Sequence, residues 1–381
     1  MKKLFYLGIV GLLVFEIVRV YLIMPLPGSQ RMDSLPLAYF LHSWRWTFRL
    51  AFGLLLVGGG WAAYRAARWG VLTALAIAAG VAYYCNVEMS ADTMFHQPRH
   101  LVMAESRKNG VPLDKLVIGF ADMSELASAY PIQYLGFHHQ VVDKVGATPV
   151  LVTYCNVCRS GRIFSPIVNG KQEQFRLVGM DHFNALLEDA TTGSWWRQAT
   201  GEAVAGPLKG MQLMELPSTQ TTLREWLALH FNSRIMQPDS TYLAEYADMD
   251  SYDIGLGRGP FTGTDTLSWQ EKSWVVGIQT PNAARAYDWN QLKRERVIND
   301  TLGNLPIVLV LDQDNQSFFA FQRPQPVTIF GLRNDTLVSG EQNWQLTGRA
   351  IAPTTGNLQK VPAYQEFWHS WRAFHPHTGK Y

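Results

Sequence analysis

The sequence predicts an α+β protein that is predominantly β, in which a duplicated soluble domain with pseudo-two-fold symmetry follows three transmembrane helices. Three observations support this fold class. Apolar residues crowd into the region before Glu88, two later segments repeat one order of apolar runs, and those runs are short and rich in β-branched residues. With 33 basic and 31 acidic residues and no long run of either sign, the chain also lacks the charge pattern of a nucleic-acid-binding protein.

Three apolar segments near the N-terminus are predicted to cross a membrane. The first, Leu4 to Met24, is long enough at about 1.5 Å per residue to span roughly 30 Å of hydrocarbon. The others, Trp44 to Tyr64 and Trp69 to Cys85, are joined by a tight turn and should form an antiparallel hairpin. A cleaved signal peptide is the alternative for the first segment, but its internal charges, Glu16 and Arg19, favour a retained helix in which the two side chains pair with each other or with a neighbouring helix.

The basic residues at the span ends predict the orientation. Lys2 and Lys3 precede the first span, and Arg65 and Arg68 separate the second from the third, so all four fall on one side. The positive-inside rule makes that side cytoplasmic. We therefore expect a protein of the bacterial inner membrane whose large domain, after about Glu88, faces the periplasm or cell exterior. The lipid bilayer is its expected partner, and another membrane or periplasmic protein is a candidate partner.

The soluble part contains an internal repeat. LVIGF, ASAYPIQYL and VVDKVGATPVLVTYCNVCRSGRIF are followed by WVVGI, AARAYDWNQL and VINDTLGNLPIVLVLDQDNQSFFAF in the same order. Tyr130 and Asp143 recur 157 residues later as Tyr287 and Asp300. Because one copy offers too few strands to close a core, we expect the copies to pack as two halves of one β-rich domain.

The repeat suggests a division of the chain into five parts. These are a membrane anchor (1–88), a linker (89–115), a first half (116–235), a connecting loop (236–272) and a second, degenerate half (273–381). Within the first half we predict a strand at Gln172 to Val178 and short helices at His182 to Asp189 and Thr222 to His230, the latter capped by Thr221. The acidic, tyrosine-rich stretch Tyr242 to Tyr252 is interpreted as a solvated linker.

Cys155 and Cys158 form a C-x-x-C motif at the end of an apolar β-type run, and the only other cysteine is Cys85. In the second copy the corresponding positions hold Asp312 and Asn315. Cysteines that served packing alone would more often be replaced there by small apolar residues. The difference between the two copies favours a functional role for the cysteine pair over a purely structural one.

The order AYP, GFHHQVVD, PVLVTYCNVC and SWWRQATGEAVAGPL resembles the bacterial and archaeal family known as domain of unknown function 3179, over roughly Leu116 to Phe321. The resemblance implies that the histidine segment, the cysteine pair and the segment Gly201 to Ala203 belong to one signature. It supplies no established reaction. The chain departs from the family pattern at His139, where glutamate is commoner, so this residue is either an extra ligand or a tolerated surface residue.

A metal site is the first chemistry that these residues suggest. Two thiolates on one turn reach a single ion from the same side, and Cys155, Cys158 and His138 are the predicted ligands. Copper is favoured slightly over zinc, because soft thiolates in an outward compartment suit Cu(I). The further candidates near such a site are His139, Met180, His182, Trp196 and Glu202. For Trp196 and Glu202 a ligand pocket and a capped core edge are equal alternatives.

Thiol–disulfide exchange by Cys155 and Cys158 is the alternative function. The motif is followed by Arg159-Ser160-Gly161, which predicts a turn into a strand and not the helix that lowers a thiol pKa in thioredoxin-type enzymes. A third hypothesis is a non-catalytic binding module of a membrane complex. Hydrolase signatures are absent from the sequence, and the glycine-rich stretch Gly255 to Pro260 is typical of a loop.

Overall fold

The structure, a computed structural model, describes residues 1–257, 259–333, 335–352 and 356–381. Arg258, within the glycine-rich stretch predicted to be a loop, lies outside the described residues. The described residues form ten α-helices: α1 (Lys2–Tyr21), α2 (Leu35–Ser43), α3 (Arg45–Ala66), α4 (Arg68–Tyr83), α5 (Ala91–Met94), α6 (Ile132–His138), α7 (Leu223–Leu229), α8 (Leu243–Asp248), α9 (Trp289–Glu295) and α10 (Trp368–Phe374). A π turn, Tyr84–Glu88, extends α4.

Twenty-five strands accompany these helices in the described part of the chain. They are β1 (Met103–Glu105), β2 (Leu116–Ala121), β3 (Ala127–Pro131), β4 (Gln140–Val145), β5 (Thr148–Cys155), β6 (Ser160–Phe164), β7 (Ile167–Val168), β8 (Lys171–Gln172), β9 (Phe175–Asp181), β10 (Asn184–Asp189), β11 (Trp195–Arg197), β12 (Ala203–Ala205), β13 (Glu215–Leu216), β14 (Thr219–Thr222), β15 (Arg234–Met236), β16 (Trp274–Thr280), β17 (Ala283–Asp288), β18 (Val297–Leu302), β19 (Leu305–Leu311), β20 (Phe318–Gln322), β21 (Gly331–Arg333), β22 (Thr336–Ser339), β23 (Gln342–Gln345), β24 (Tyr364–Phe367) and β25 (Gly379–Lys380). The chain is thus mixed α and β and rich in strands, as predicted.

The chain divides into two compact units, each described separately here. The first comprises residues 1–96, 173–197 and 202–212. Its helices Lys2–Tyr21, Arg45–Ala66 and Arg68–Glu88 are long and apolar enough to cross a membrane. These three helices pack through Phe5 and Ile9 of α1, Ala63 of α3, and Val71 and Ala78 of α4. The remaining strands form a four-stranded sheet in the order β12-β11-β10-β9.

The helix ends of this unit share an apolar cluster with its sheet. Val20 and Ile23 at the end of α1 pack with Val178 of β9, Leu186 of β10 and Trp195 of β11. A backbone hydrogen bond of 2.7 Å from Met180 N–H to the Ile23 carbonyl joins the same elements. The sheet is therefore held to one end of the helix bundle by burial of apolar surface as well as by hydrogen bonds.

The second unit comprises residues 97–172, 198–201 and 213–381. Its first half pairs β2 with β3, continues through α6, and ends in the antiparallel meander β4-β5-β6. Its second half pairs β16 with β17, continues through α9, and ends in the meander β18-β19-β20. The strands predicted for each sequence copy, including both final hairpins, are confirmed.

Corresponding details recur in the two halves. Tyr130 donates a hydrogen bond to Asp143 at 2.7 Å, and Tyr287 donates one to Asp300 at 2.8 Å. β14 is antiparallel to β2 and leads into α7, whereas β24 is antiparallel to β16 and leads into α10. Each of these helices lays a tryptophan over a strand glycine, Trp226 over Gly119 and Trp371 over Gly277.

Two local predictions need correction. The helix predicted at His182 to Asp189 is wrong: Asn184–Asp189 is strand β10, because His182 and Phe183 both adopt positive φ and reverse the chain in a two-residue hairpin turn. The helix predicted at Thr222 to His230 is confirmed as α7, but the cap is Thr222 and not Thr221. Its side-chain oxygen accepts from Glu225 N–H at 3.4 Å.

The interpretation of Tyr242 to Tyr252 as a solvated linker is also wrong. Tyr242, Tyr246 and Tyr252 are all buried, and part of the segment forms α8. The acidic residues between the tyrosines suggested exposure, but four-residue spacing of Tyr242 and Tyr246 puts both rings on one helix face. That face turns inward.

We expect Gly277→Ala and Gly119→Ala each to destabilise the second unit by about 1 to 3 kcal/mol through overpacking. A β-carbon at Gly277 would lie 2.1 Å from the Trp371 ring, and one at Gly119 would lie 2.3 Å from the Trp226 ring. Thermal unfolding of the full chain, followed by tryptophan fluorescence, measures the loss. Gly331→Ala is the matched control, because its nearest neighbour would be at 3.8 Å. Equal melting temperatures for all three variants would contradict this packing.

Candidate functional site

The two cysteines of the C-x-x-C motif lie at the tip of the β5–β6 hairpin. Cys155 is the last residue of β5 and pairs with Ser160, the first residue of β6. Residues 156–159 form the turn, in which Arg159 has a φ of +56°. No disulfide joins the two cysteines, and both side chains are fully buried. Because residues three apart in a turn approach within about 7 Å at their α-carbons, the thiols belong to one local site.

Three carbonyl groups of this turn accept hydrogen bonds from residues distant in sequence. The Asn156 carbonyl accepts from the Tyr252 hydroxyl at 2.7 Å. The Val157 carbonyl accepts from His369 Nε2 at 3.1 Å, and the Cys158 carbonyl accepts from Phe367 N–H at 2.9 Å. The turn is therefore covered and fixed by the Tyr252 segment on one side and by the start of α10 on another.

Arg159 places a buried positive charge next to Cys158. Its guanidinium donates to the carbonyls of Tyr252 at 3.0 Å and Asp253 at 2.5 Å, and to the Gln365 side-chain oxygen at 3.0 Å. It also stacks on the Trp274 ring, 3.8 Å from the ring centre. Within the described residues these hydrogen bonds all go to neutral oxygen atoms. Such a buried charge favours a negative group nearby.

His138 ends α6 inside an aromatic environment. Its Nε2 lies 2.6 Å from the Tyr246 hydroxyl, and its ring contacts Phe137, Tyr242 and Tyr246. The predicted third ligand is therefore held by a tyrosine hydroxyl in the described arrangement. To serve as a ligand, His138 must use Nδ1 or exchange the tyrosine for the metal.

His139 makes hydrogen bonds with the C-x-x-C turn and with the strand before it. It follows α6 in the left-handed conformation, with a φ of +61°, and its carbonyl accepts from Tyr154 N–H at 2.8 Å. Its Nδ1 lies 3.1 Å from the Phe137 carbonyl, and the Asn156 side chain hydrogen-bonds to its ring. Burial lowers its pKa to about 4, so the ring is neutral and Nδ1 carries the proton. The lone pair of Nε2 has the chemistry of a metal ligand.

The other four predicted residues belong to the first unit. Met180 lies on β9, and His182 lies in the following turn, where its Nδ1 is 2.7 Å from the Asp181 carboxylate. That hydrogen bond raises the pKa of His182. Trp196 is buried with its indole N–H donating to Asp189 at 2.8 Å, and Glu202 lies 3.8 Å from Arg197. These partners favour the interpretation of Trp196 as a capped core edge over that of a ligand pocket.

The ligands expected for a metal are not gathered into a full coordination shell. Among the described residues, no group of three or more His, Cys, Asp or Glu side chains is placed to hold a metal ion. The structure instead brings together the two thiols, the neutral imidazole of His139 beside the turn, and the Arg159 cation. This arrangement can stabilise thiolate charge and bind a soft ion through two sulfur atoms.

Sequence reasoning missed the residues that enclose the turn. Tyr252, Gln365 and His369 all contact it, yet they lie between 93 and 212 positions away along the chain. The spacing of Tyr242 and Tyr246 was a usable signal of a buried helix face. For Gln365 and His369 a single sequence contains no comparable signal, because their partners are backbone carbonyls and a guanidinium.

The comparison with families identifies the chain. The family described as "Protein of unknown function (DUF3179)" matches residues 97–378, which is most of the chain and more than the resemblance noted above. The chain therefore belongs to this family. Curated proteins and solved structures yield no match to it.

We expect Cys155 and Cys158 to resist thiol reagents in the folded protein and to react only after local opening. In a Cys85→Ser background, native labelling should be at least about 100-fold slower than labelling in denaturant. Tyr252→Phe should raise the native rate about tenfold, because it leaves the buried Asn156 carbonyl without its donor.

Two controls calibrate this measurement. Ser124→Cys adds an exposed thiol that should label at once, and Tyr381→Phe removes a hydroxyl whose partner is the exposed Glu295. Rapid labelling of both native cysteines in the background protein would contradict their burial.

Proposed function

We propose that this member of the DUF3179 family is a membrane-anchored protein that binds a soft metal ion, Cu(I), through Cys155 and Cys158. The observation that carries the proposal is the pairing of two buried thiols on a fixed turn with the buried Arg159 guanidinium. Cu(I) held by two thiolates has a net charge of −1. That charge would balance the neighbouring cation, which has only neutral hydrogen-bond acceptors among the described residues.

Copper is favoured over zinc by the number of ligands available. Zinc in a structural site takes four ligands in a tetrahedron, whereas Cu(I) is satisfied by two or three soft ligands. The described residues offer no group of three or more ligands. Two thiolates alone therefore suit Cu(I), and a third ligand would be His139, beside the turn, or His138 after release from Tyr246.

We expect anaerobically purified full-length protein to bind about one equivalent of Cu(I), and Cys155→Ser or Cys158→Ser to abolish this binding. Elemental analysis and competition with a Cu(I) chelator measure stoichiometry and affinity. Cys85→Ser is the matched control and should leave both unchanged. Retention of the metal by both cysteine variants would refute the proposal.

Variants of the two histidines should distinguish two-ligand from three-ligand coordination of Cu(I). If the site has two ligands, His138→Ala and His139→Ala leave one equivalent of Cu(I) bound with an affinity changed by less than about tenfold. A loss of about 10- to 100-fold in one variant alone would identify that histidine as a third ligand or its support. Circular dichroism of each variant checks that the fold is retained, because both rings are buried.

Thiol–disulfide exchange is the second candidate function, and the position of Cys155 and Cys158 three residues apart on one hairpin turn favours it. Cys155 would attack a partner disulfide, release the partner's thiolate, and be resolved by Cys158, so that the pair is oxidised and the partner reduced. The motif continues into strand β6, as predicted, and not into a helix. Trapping of a mixed disulfide through Cys155 in the Cys158→Ser variant would support exchange over metal binding.

A role as a non-catalytic module of a membrane complex is a third proposal. Large apolar side chains remain exposed on α3 and α4, including Leu54, Val57, Trp61 and Ile77. Lipid accounts for such a surface as well as a protein partner does. Recovery of one stoichiometric membrane or periplasmic protein with the full chain in mild detergent would favour the module.

We further propose that the second unit is a duplicated domain with pseudo-two-fold symmetry. Reciprocal contacts support it. Phe367 N–H, at the end of β24, donates to the Cys158 carbonyl in the first hairpin, and Thr222 N–H, at the end of β14, donates to Ser317 in the second. Contacts exchanged in this way are the pattern that two-fold packing produces.

We also propose on which side of the membrane the soluble part of the chain lies. Lys2, Lys3, Arg65 and Arg68 lie at one end of the three candidate spans, so the positive-inside rule assigns that end to the cytoplasm. The remainder of the chain would then face the periplasm or cell exterior of a bacterium. Exclusion of a membrane-impermeant protease from the soluble part in intact spheroplasts would contradict this orientation.

A further inference from the structure

A cavity of about 680 Å³ lies within the first unit, where the ends of α1, α3 and α4 approach strand β9. Its volume is in the range of small-molecule sites. The charged side chains of its lining are four arginines and a single carboxylate: Arg19, Arg45, Arg49, Arg176 and Glu16. The cavity is therefore strongly cationic, at the end of the bundle opposite Lys2 and Lys3.

The single carboxylate of the lining is already fully used. Glu16 accepts from Arg49 at 2.7 Å and 3.1 Å and from Arg19 at 3.2 Å. Asn86 completes the network, with its side-chain oxygen accepting from Arg19 at 2.5 Å and from Arg49 at 2.6 Å. One negative charge is thus shared by two guanidinium groups, which leaves an excess of positive charge on this side of the cavity.

Arg176 is neutralised from outside the cavity. It forms ion pairs with Glu188 at 2.6 Å and Asp92 at 3.0 Å. Burial opposes ionisation of Glu188, but hydrogen bonds from His42 and Trp195 and the charge of Arg176 lower its pKa to about 2, so its carboxylate is ionised at neutral pH. Glu188 lies 3.0 Å from His42 Nε2. Among the described residues, the ion pairs of Glu188 and Asp92 are thus with Arg176 and His42 and not with the other arginines of the lining.

Two arginines of the lining have the capacity to bind an anionic hydrogen-bond acceptor. Arg45 donates to the His42 carbonyl at 2.7 Å and, within the described part of the chain, forms no ion pair with a carboxylate. Arg19 is buried, yet its Nε–H has no hydrogen-bond partner among the described residues. A buried donor left in this way is unfavourable, and an anionic ligand would satisfy it.

The position of the cavity indicates the kind of anion. Four aromatic side chains are exposed at this end of the candidate spans: Trp44, Trp46, Tyr83 and Tyr84. Aromatic rings of this kind prefer the headgroup depth of a bilayer. The lining also contains apolar residues, among them Leu12 and Val20. A ligand that fits both the arginines and the apolar residues of the lining carries a negative headgroup and an apolar chain.

We propose that this cavity binds the phosphate headgroup of an anionic lipid, with Arg45 and the Nε–H of Arg19 as the principal donors. Guanidinium groups form strong charge-assisted hydrogen bonds to phosphate oxygens. The lipid chain extends from the cavity along the apolar lining towards the bilayer. The site is independent of Cys155 and Cys158, and its test does not depend on metal binding.

The test uses the full chain, delipidated in detergent. It is titrated with phosphatidylglycerol, with phosphatidylcholine of the same chain length, and with glycerol 3-phosphate, and bound ligand is counted by native mass spectrometry. We expect one phosphatidylglycerol, bound at least about tenfold more tightly than the zwitterionic lipid. Glycerol 3-phosphate binding as tightly as the lipid would support the phosphate site but assign it to soluble phosphate esters. Equal affinity for the two lipids would overturn the proposal.

Variants locate the binding. Arg45→Gln should weaken phosphatidylglycerol about tenfold, the equivalent of one charge-assisted hydrogen bond. Arg19→Lys keeps the charge beside Glu16 but lacks the Nε–H donor, and should weaken it by a smaller factor. Arg65→Gln, at the other end of α3, is the matched control. Unchanged affinity in Arg45→Gln, with a melting temperature equal to that of the unaltered protein, would contradict the assignment.

Discussion

The buried guanidinium of Arg159 is the interaction on which the arrangement of the second unit depends. A charge without water is tolerated only when its donors are satisfied, and the three acceptors here come from Tyr252, Asp253 and Gln365. These residues lie in the segment before β16 and in β24. The hairpin that carries the cysteines therefore reaches its final environment only when both later segments are in place.

This dependence gives the second half of the unit a structural role in holding the cysteine-bearing hairpin. Its own hairpin turn is closed by a side chain within the turn: Asp314 accepts from the backbone N–H groups of Gln316 and Ser317 at 2.8 Å and 2.7 Å. The first turn has no such aspartate and is held from outside, by Tyr252, Phe367 and His369. The second turn thus has an aspartate of its own that closes it, although Thr222 also hydrogen-bonds to Asp314 and Ser317, whereas the shape of the first turn is set by its surroundings.

The sequence predicted the elements with strong local patterns and missed those fixed by distant contacts. The three apolar helices, the apolar strands β5 and β19 and the turn into β6 follow from periodicity and composition. The pairing of Glu16 with Arg19 follows from their three-residue spacing, whereas the partner on a neighbouring helix, Arg49 of α3, could not be identified from the sequence. The hairpin turn at His182 and Phe183 was missed because its two central residues are not the Asn, Asp or Gly that usually mark such a turn.

The residues of the candidate site also fall into a group that the sequence could predict and a group that it could not. Cys155, Cys158 and the two histidines could be selected from the repeat contrast and the family resemblance, since these are comparisons within and between sequences. The enclosure of the turn could not, because hydrogen bonds from Tyr252 and His369 to backbone carbonyls impose no residue pattern on the turn itself. The relative importance of His138 and His139 likewise depends on contacts with Tyr246 and Asn156 that only the folded chain defines.

Burial of the thiols constrains any function that they perform. A partner protein or a chelator cannot reach sulfur atoms that are fully enclosed, so exchange of electrons or metal requires the cover to open first. The cover has two parts of unequal strength. The Phe367 and His369 side belongs to a paired strand and the helix that follows it, whereas the Tyr252 side follows the short helix α8 and is not part of a sheet. Opening on the Tyr252 side would break the Arg159 hydrogen bonds to the Tyr252 and Asp253 carbonyls. Because that side also carries Tyr246, the partner of His138, release of the histidine and exposure of the cysteines would occur in one movement.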